Sequence, residues 1–240
     1  MLHLRKVFFT GMLVSFLGSL PLGTLNIAAM QISISTGVLA AMLFSAGSLV
    51  AEIIYVRLSL VAMDWIRKQE KLFRILEWVT LAIVLALAAS SFYSAMNPSA
   101  ESGNLILDSP MPKFLLGLTM SAVNPVQIPF WFGWSMVLFT KKILLPRRDH
   151  YNAYIIGIGL GTFFGNCLFI FGGQLIASKI QNNQHVLNWV IGGIFTITAL
   201  IQIWKMAKKK DAVHQIEHPE KMTQGLEDKI IEMTEPNKKH

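Results

Sequence analysis

Gly18-Ser19-Leu20-Pro21-Leu22-Gly23-Thr24-Leu25-Asn26 lies inside an apolar run from Val7 to Met30. Such a run is long enough to cross a bilayer as a helix, which takes about 20 residues. Its middle, however, is built to break one. Pro21 removes a backbone donor and clashes with the preceding turn, and Gly18 and Gly23 add backbone freedom. Lipid offers no hydrogen bonds, so a broken helix survives there only where protein or a watery cavity satisfies the freed backbone groups. A second interruption, Asn124-Pro125-Val126-Gln127-Ile128-Pro129, falls in a later apolar run. Two interrupted hydrophobic segments in corresponding halves of a chain point to the binding site of a secondary transporter. The alternative is a pair of ordinary kinked helices, proline being common in membrane spans.

Composition places the chain in a membrane. Of 240 residues, 53% are hydrophobic and only 15% charged, with a mean hydropathy of +0.49; a soluble domain carries about 25% charged residues. The net charge of +7 is read as basic residues at membrane edges, so no nucleic acid is expected as a partner. Cys167 is the single cysteine, which excludes an intramolecular disulfide and a dithiol relay. The first apolar run is too long for a cleaved signal peptide and lacks a small-x-small site after a short apolar region.

Six spans are expected, at about 7–30, 37–60, 72–95, 113–139, 152–177 and 186–206. Arg5, Lys6, Arg67, Lys68, Lys71, Arg74, Lys141, Lys142, Arg147, Arg148, Lys205 and Lys208 to Lys210 all fall on one side, against Lys113 and Lys179 on the other. The positive-inside rule puts both termini in the cytoplasm. The polar segment 207–240 is expected to be a disordered cytoplasmic tail, with one weak amphipathic pattern at Met222, Leu226 and Ile230.

The two halves repeat. Leu76-Glu77-Trp78-Val79 matches Leu187-Asn188-Trp189-Val190, and Gly47-Ser48-Leu49-Val50-Ala51-Glu52 matches Gly161-Thr162-Phe163-Phe164-Gly165-Asn166. Ser15, Gly18 and Pro21 match Thr119, Ala122 and Pro125 at the same spacing. Three matches in order indicate a duplication. Three spans per half force the second copy upside down. The expected fold is therefore an all-α membrane protein of six transmembrane helices, a 3+3 inverted repeat (7–95 and 113–206 within a transporter domain of 1–206) with broken first and fourth helices.

Glu52 is the most informative charge. An intramembrane carboxylate is costly and normally faces a partner or a cavity. Low dielectric penalises the charged form, so Glu52 is a candidate proton carrier; the structural alternative is an ion pair with Arg57, five residues on and about 140° around the helix. Asn166 is its neutral counterpart in the second half. Glu77 is expected to be structural, near Arg74 or Arg57. Asn124-Pro125 reads as a helix start, and Pro21 as another, with Gly23, Thr24 and Asn26 beside it. A helix start presents N–H groups and a positive dipole end, which suits a substrate carboxylate. Pro21, Gly23, Thr24, Asn26, Glu52, Asn124, Pro125, Gln127 and Asn166 are thus the candidate substrate-binding residues. For Asn26 and Gln127 the alternative is plain interhelical hydrogen bonding.

Other features take simpler readings. Gly157, Gly161 and Gly165 form a ridge for close helix packing. Trp78, Trp189 and Trp204 are interfacial anchors, and Trp131 and Trp134 are core residues that alternatively line the pathway. His214-Gln215-Ile216-Glu217-His218 matches a metalloprotease pattern, but it sits in the polar tail before Pro219 and no metal site or cofactor is expected.

At the two breaks and the glycine-bearing second span the chain resembles the lysine-exporter (LysE-type translocator) superfamily, over about residues 7–206. The resemblance implies a six-span bacterial inner-membrane protein exporting amino acids or other small solutes by ion coupling. The family's first-span Pro-Gly-Pro appears as Pro21-Leu22-Gly23, with only the leading proline shared. Its fourth-span Asn-Pro-Lys appears as Asn124-Pro125-Val126, without the basic residue. Gly37 and Gly47 resemble its second-span glycines. The expected function is secondary export of amino acids or similar zwitterions, with a small-molecule substrate and the lipid bilayer as partners and homo-oligomerisation left open. Divalent-metal efflux through Glu52, Asn26, Asn124 and Asn166 is the alternative, and a non-transporting membrane scaffold a further one. No pair of embedded carboxylates or Ser/His constellation suggests an enzyme.

Overall fold

Helices satisfy every backbone group within their own segment, which is what lipid demands. Each regular element among the described residues is an α-helix. The computed structural model describes residues 2–20, 23–61, 70–96, 109–124, 126–179 and 184–208. Pro21, Pro125, most of the 97–112 connection and the tail beyond Lys208 lie outside the described residues.

The helices are α1 (Leu2–Ser19), α2 (Thr24–Thr36), α3 (Val38–Val61), α4 (Glu70–Met96), α5 (Lys113–Ala122), α6 (Gln127–Thr140), α7 (Arg148–Lys179) and α8 (Gln184–Ala207). Among the described residues, four stretches are long and apolar enough to cross a membrane: Val38–Val61, Arg74–Met96, Arg148–Leu175 and Asn188–Ala207. The pair α1 and α2 is apolar enough to be a fifth if it forms one broken span; it is bent by 75° at the break. The chain is an all-α, multi-pass membrane protein.

Both expected breaks are present. At about 1.5 Å per residue, neither α5 nor α6 alone spans the ~30 Å hydrocarbon core, whereas the two end to end would. The helix after each break begins later than the prolines suggest: α2 at Thr24, behind Gly23 in extended conformation, and α6 at Gln127. Gly37, between α2 and α3, has φ of +107°, a backbone that L side chains rarely adopt.

Packing follows the glycines. A Cβ on Gly47 of α3 would run into the Phe114 carbonyl of α5, and one on Gly117 of α5 into the Phe44 carbonyl of α3. Gly157 and Gly161 of α7 meet the carbonyls of Phe8 and Met12 on α1 in the same way, and Gly165 meets Ser19. The ridge is therefore a packing surface. In addition α4 packs on α8, α3 on α7, α2 on α7 and on α3, and α6 on α3.

Two apolar clusters form the core. One gathers Ile27, Phe44, Val84, Ile170 and Phe195, the other Val7, Val56, Trp131, Tyr154 and Ile158. Along α3 the order is Phe44, then Ser48 and Glu52, then Val56. Along α7 it is Tyr154 and Ile158, then Thr162 and Asn166, then Ile170. A polar layer is thus held between two apolar ones, at the level of the breaks.

Candidate substrate site

Ending a helix in mid-membrane leaves carbonyls without partners, and side chains supply the missing donors. At the end of α1, Asn26 Nδ2 donates to the Ser19 carbonyl at 2.6 Å and Ser19 Oγ to that of Phe16 at 2.7 Å. At the end of α5, the Tyr55 hydroxyl donates to the Ala122 carbonyl and Thr80 Oγ1 to that of Val123 at 2.8 Å. The starts of α2 and α6 are treated differently: no side-chain cap bond is made at Gly23 or Val126. Asn124 Oδ1 accepts the Val126 N–H at 3.2 Å, which orients the approach to α6 much as an N-cap does.

Between the breaks lies a cavity of about 240 Å³. The start of α2 contributes Gly23, Thr24, Leu25 and Asn26, and the start of α6 Val126, Gln127, Phe130 and Trp131. The unbroken helices add Ser48 and Glu52 from α3 and Thr162 and Asn166 from α7. In each pair the residues are four apart, so they share a helix face. The end of α1 brings Ser15 and Ser19, and the end of α5 brings Ser121.

Hydrogen bonds tie this lining together across helices. Ser121 Oγ donates to the Ser48 carbonyl at 3.0 Å, and Gln127 Nε2 donates to Ser121 Oγ at 2.8 Å. Ser15 Oγ and Thr162 Oγ1 form a hydroxyl–hydroxyl bond between α1 and α7. Thr162 and Glu52 both line the cavity, from α7 and α3. Glu52 Oε2 and Gln127 Oε1 have no hydrogen-bond partner among the described residues. Among the described residues, Glu52 is the one charged side chain in the lining.

Every described residue of the expected binding set, namely Gly23, Thr24, Asn26, Glu52, Asn124, Gln127 and Asn166, lines this one cavity. Pro21 and Pro125 lie outside the described residues. Asn26 and Gln127 also make the structural hydrogen bonds named as their alternative. The Glu52–Arg57 pairing is not made: Glu52 lines the cavity, and Arg57 lies over the Tyr151 ring at 5.6 Å. Glu77 is buried, with its carbonyl accepting from Gln202 Nε2 at 3.0 Å. Trp131 belongs both to the core and to the lining, while Trp134 is core alone. The hydroxyls Ser15, Ser19, Ser48, Ser121 and Thr162 were absent from the expected set. Ser48 and Thr162 carried a signal, since each stands one turn before Glu52 or its counterpart Asn166.

A sequence profile of the LysE type translocator family matches residues 5–205. The chain belongs to that family. The match runs over all eight helices and ends before the polar tail. No curated protein and no solved structure matches the chain. Membership of a translocator family assigns the polar layer between the breaks to a transport protein. It also makes the shortage of charge there informative, because a translocator must release what it binds.

Proposed function

We propose that this translocator is a secondary active exporter of amino acids or similar small zwitterionic solutes, coupled to an ion, and that it is not an enzyme. One observation carries the reading: a single cavity joins two helix starts without side-chain caps to one carboxylate, with no basic side chain among the described residues of the lining. A substrate carboxylate is suited by the N–H groups and dipoles of the helix starts. A substrate ammonium is suited by Glu52. Leu25, Phe130 and Trp131 offer apolar surface to an aliphatic side chain. The volume equals roughly eight waters at ~30 Å³ each, the scale of a small metabolite.

The packing supports the 3+3 inverted repeat. Exchanging first-half with second-half helices turns α1 on α7 into α5 on α3, and α2 on α7 into α6 on α3. The pairs α3–α7 and α4–α8 map onto themselves. With the basic residues on one side, this reading places the protein in a bacterial inner membrane with both termini cytoplasmic. Divalent-metal efflux retains one supporting fact, that Asn26, Asn124 and Asn166 surround the cavity with Glu52. A single carboxylate nevertheless matches a monovalent ammonium better than a divalent ion.

The test is counterflow in proteoliposomes containing the purified protein. Radiolabelled L-leucine, L-threonine and L-lysine are compared with Cd²⁺ and Zn²⁺. Exchange of at least one amino acid and of neither metal ion is expected. Metal exchange with no amino-acid exchange would refute the reading.

A further inference from the structure

A polar group buried without a partner calls for a physical reason, and several such groups stand beyond the two ends of the cavity. Gln31 of α2 is fully buried, next in sequence to Met30 and Ile32 of the first apolar cluster. Neither its amide nitrogen nor its amide oxygen has a hydrogen-bond partner among the described residues. Ser45 Oγ of α3 is buried and orphaned in the same way. On the other side of the polar layer, Trp134 of the second cluster has an orphaned Nε1, and the neighbouring Ser135 an orphaned Oγ. Ser94 Oγ is orphaned too, on α4, a helix that does not line the cavity.

These positions extend the faces that meet the cavity. Ser45 precedes Glu52 by seven residues, and Trp134 follows Gln127 by seven. Seven residues make two turns, so each pair shares a helix face and lies roughly 10 Å apart along the axis. Glu52 and Gln127 both line the cavity. Ser135 stands one turn past the lining residue Trp131, and Gln31 two turns past Thr24. The spacing that pairs Pro21 with Pro125 also pairs Gln31 with Ser135. The orphaned groups therefore recur at corresponding places in the two halves.

The halves are not packed alike. α2 lies against α3 and α7, and more lightly against α5 and α8. Its counterpart α6 lies against α3, but among the described residues it makes no comparable contact with α7, α1 or α4. The α2 side is thus held shut by more helices than the α6 side.

We infer that the orphaned groups line two water passages to the cavity, one past Gln31 and Ser45 on α2 and α3, the other past Trp134 and Ser135 on α6. Water satisfies an amide or a hydroxyl on such a wall while its passage is open. When the apolar cluster closes, the same group is stranded, and that desolvation keeps the shut state from becoming too stable to reopen. Alternation about a fixed site is general to inverted-repeat transporters; the two routes and the residues on them are particular to this chain. The inference rests on the orientation given above, which turns the Gln31 passage outward and the Ser135 passage to the cytoplasm. α6, with fewer neighbours to leave, opens more readily than α2.

The test places single cysteines in the full-length Cys167→Ala protein. Their reaction with a small cationic, membrane-impermeant methanethiosulfonate is timed in right-side-out and inside-out membrane vesicles. A thiol held in apolar surroundings withholds the thiolate that reacts, so passage thiols should react about tenfold or more faster than controls. Ser45→Cys and Ser135→Cys are the near-isosteric passage variants. Ala29→Cys and Met136→Cys are the controls, each two residues from a passage residue and so on roughly the opposite side of its helix. Ser45→Cys should react from outside only, Ser135→Cys from the cytoplasmic side only, and Ser135→Cys the faster. Gln31→Leu added to Ser45→Cys should slow the outer reaction several-fold, with Gln31→Met in its place should the leucine variant not fold. Rates no higher than the controls, or reaction of both passage thiols from one side, overturn the passages. An outer rate untouched at Gln31 removes that residue from the route, and a faster reaction at Ser45→Cys overturns the order of opening. Each thiol reacting from the side opposite to that expected upholds the passages and reverses the orientation, which labelling of Met111→Cys and Arg147→Cys reads independently.

Discussion

Gly47→Ala tests whether the close approach of α3 and α5 holds the polar layer together. An added Cβ would stand 2.8 Å from the Phe114 carbonyl carbon and 2.9 Å from the Leu118 nitrogen, with the carbonyl oxygen closer still. Ordinary contact begins at 3.4 Å. The obstacle is backbone, so no side chain can swing aside and the two helices must separate. Overpacking of this kind costs typically ~1–3 kcal/mol. Separation also stretches the Ser121–Ser48 bond of 3.0 Å and with it the Gln127–Ser121 bond, so the cavity wall loosens at the same time. The Gly117→Ala variant meets the Phe44 carbonyl across the same seam. Once one methyl has parted the helices the second costs less, and the double variant should be milder than the sum by ~0.5–3 kcal/mol. The assay is thermal unfolding of the purified protein in detergent, with reconstituted counterflow alongside. Each single variant should melt roughly 2–12 °C lower, by the scaling of a 150–250-residue domain. Gly47→Ala melting with the unaltered protein, or strictly additive effects, would refute the reasoning.

Three further outcomes are expected. Glu52→Gln keeps volume and one acceptor but cannot titrate; it should fold, support counterflow at a raised KM, and lose accumulation driven by a pH gradient, whereas full pH-driven accumulation would remove Glu52 from coupling. Tyr55→Phe withdraws the donor from the Ala122 carbonyl, and the orphaned acceptor should lower stability by ~1–3 kcal/mol, read as a fall in the denaturant midpoint; an unchanged midpoint would show that the break does not need that bond. In a Cys167→Ala background, Met111→Cys should react with a membrane-impermeant maleimide on intact cells and Arg147→Cys only after lysis, both positions being exposed; the reverse pattern would invert the topology.

Much of the site was legible because membrane physics makes a few residue types conspicuous. A proline, an asparagine or a carboxylate in an apolar run is costly unless something compensates. That is why Glu52, Asn26, Asn124, Gln127 and Asn166 stood out, and why they all face one cavity. Serine and threonine did not stand out, because a hydroxyl satisfies itself on the carbonyl one turn back and sits in apolar helices at little cost. Ser15, Ser19 and Ser121 became visible only when their helices were brought to one cavity.

By itself the sequence determined the class: apolar runs of spanning length, interrupted twice, with basic residues gathered on one side. It also located the breaks, since a missing N–H and a clashing ring act within one turn of the proline wherever the rest of the chain lies. Only the tertiary structure decided the partners. Glu52 of α3 shares a lining with Thr162 and Asn166 because α3 packs on α7, and the approach of α3 to α5 and of α7 to α1 is set by glycines meeting backbone carbonyls across helices far apart in the chain. A helix in lipid ends where side chains can satisfy the carbonyls left behind, and those donors (Asn26, Tyr55 and Thr80) are supplied by the fold.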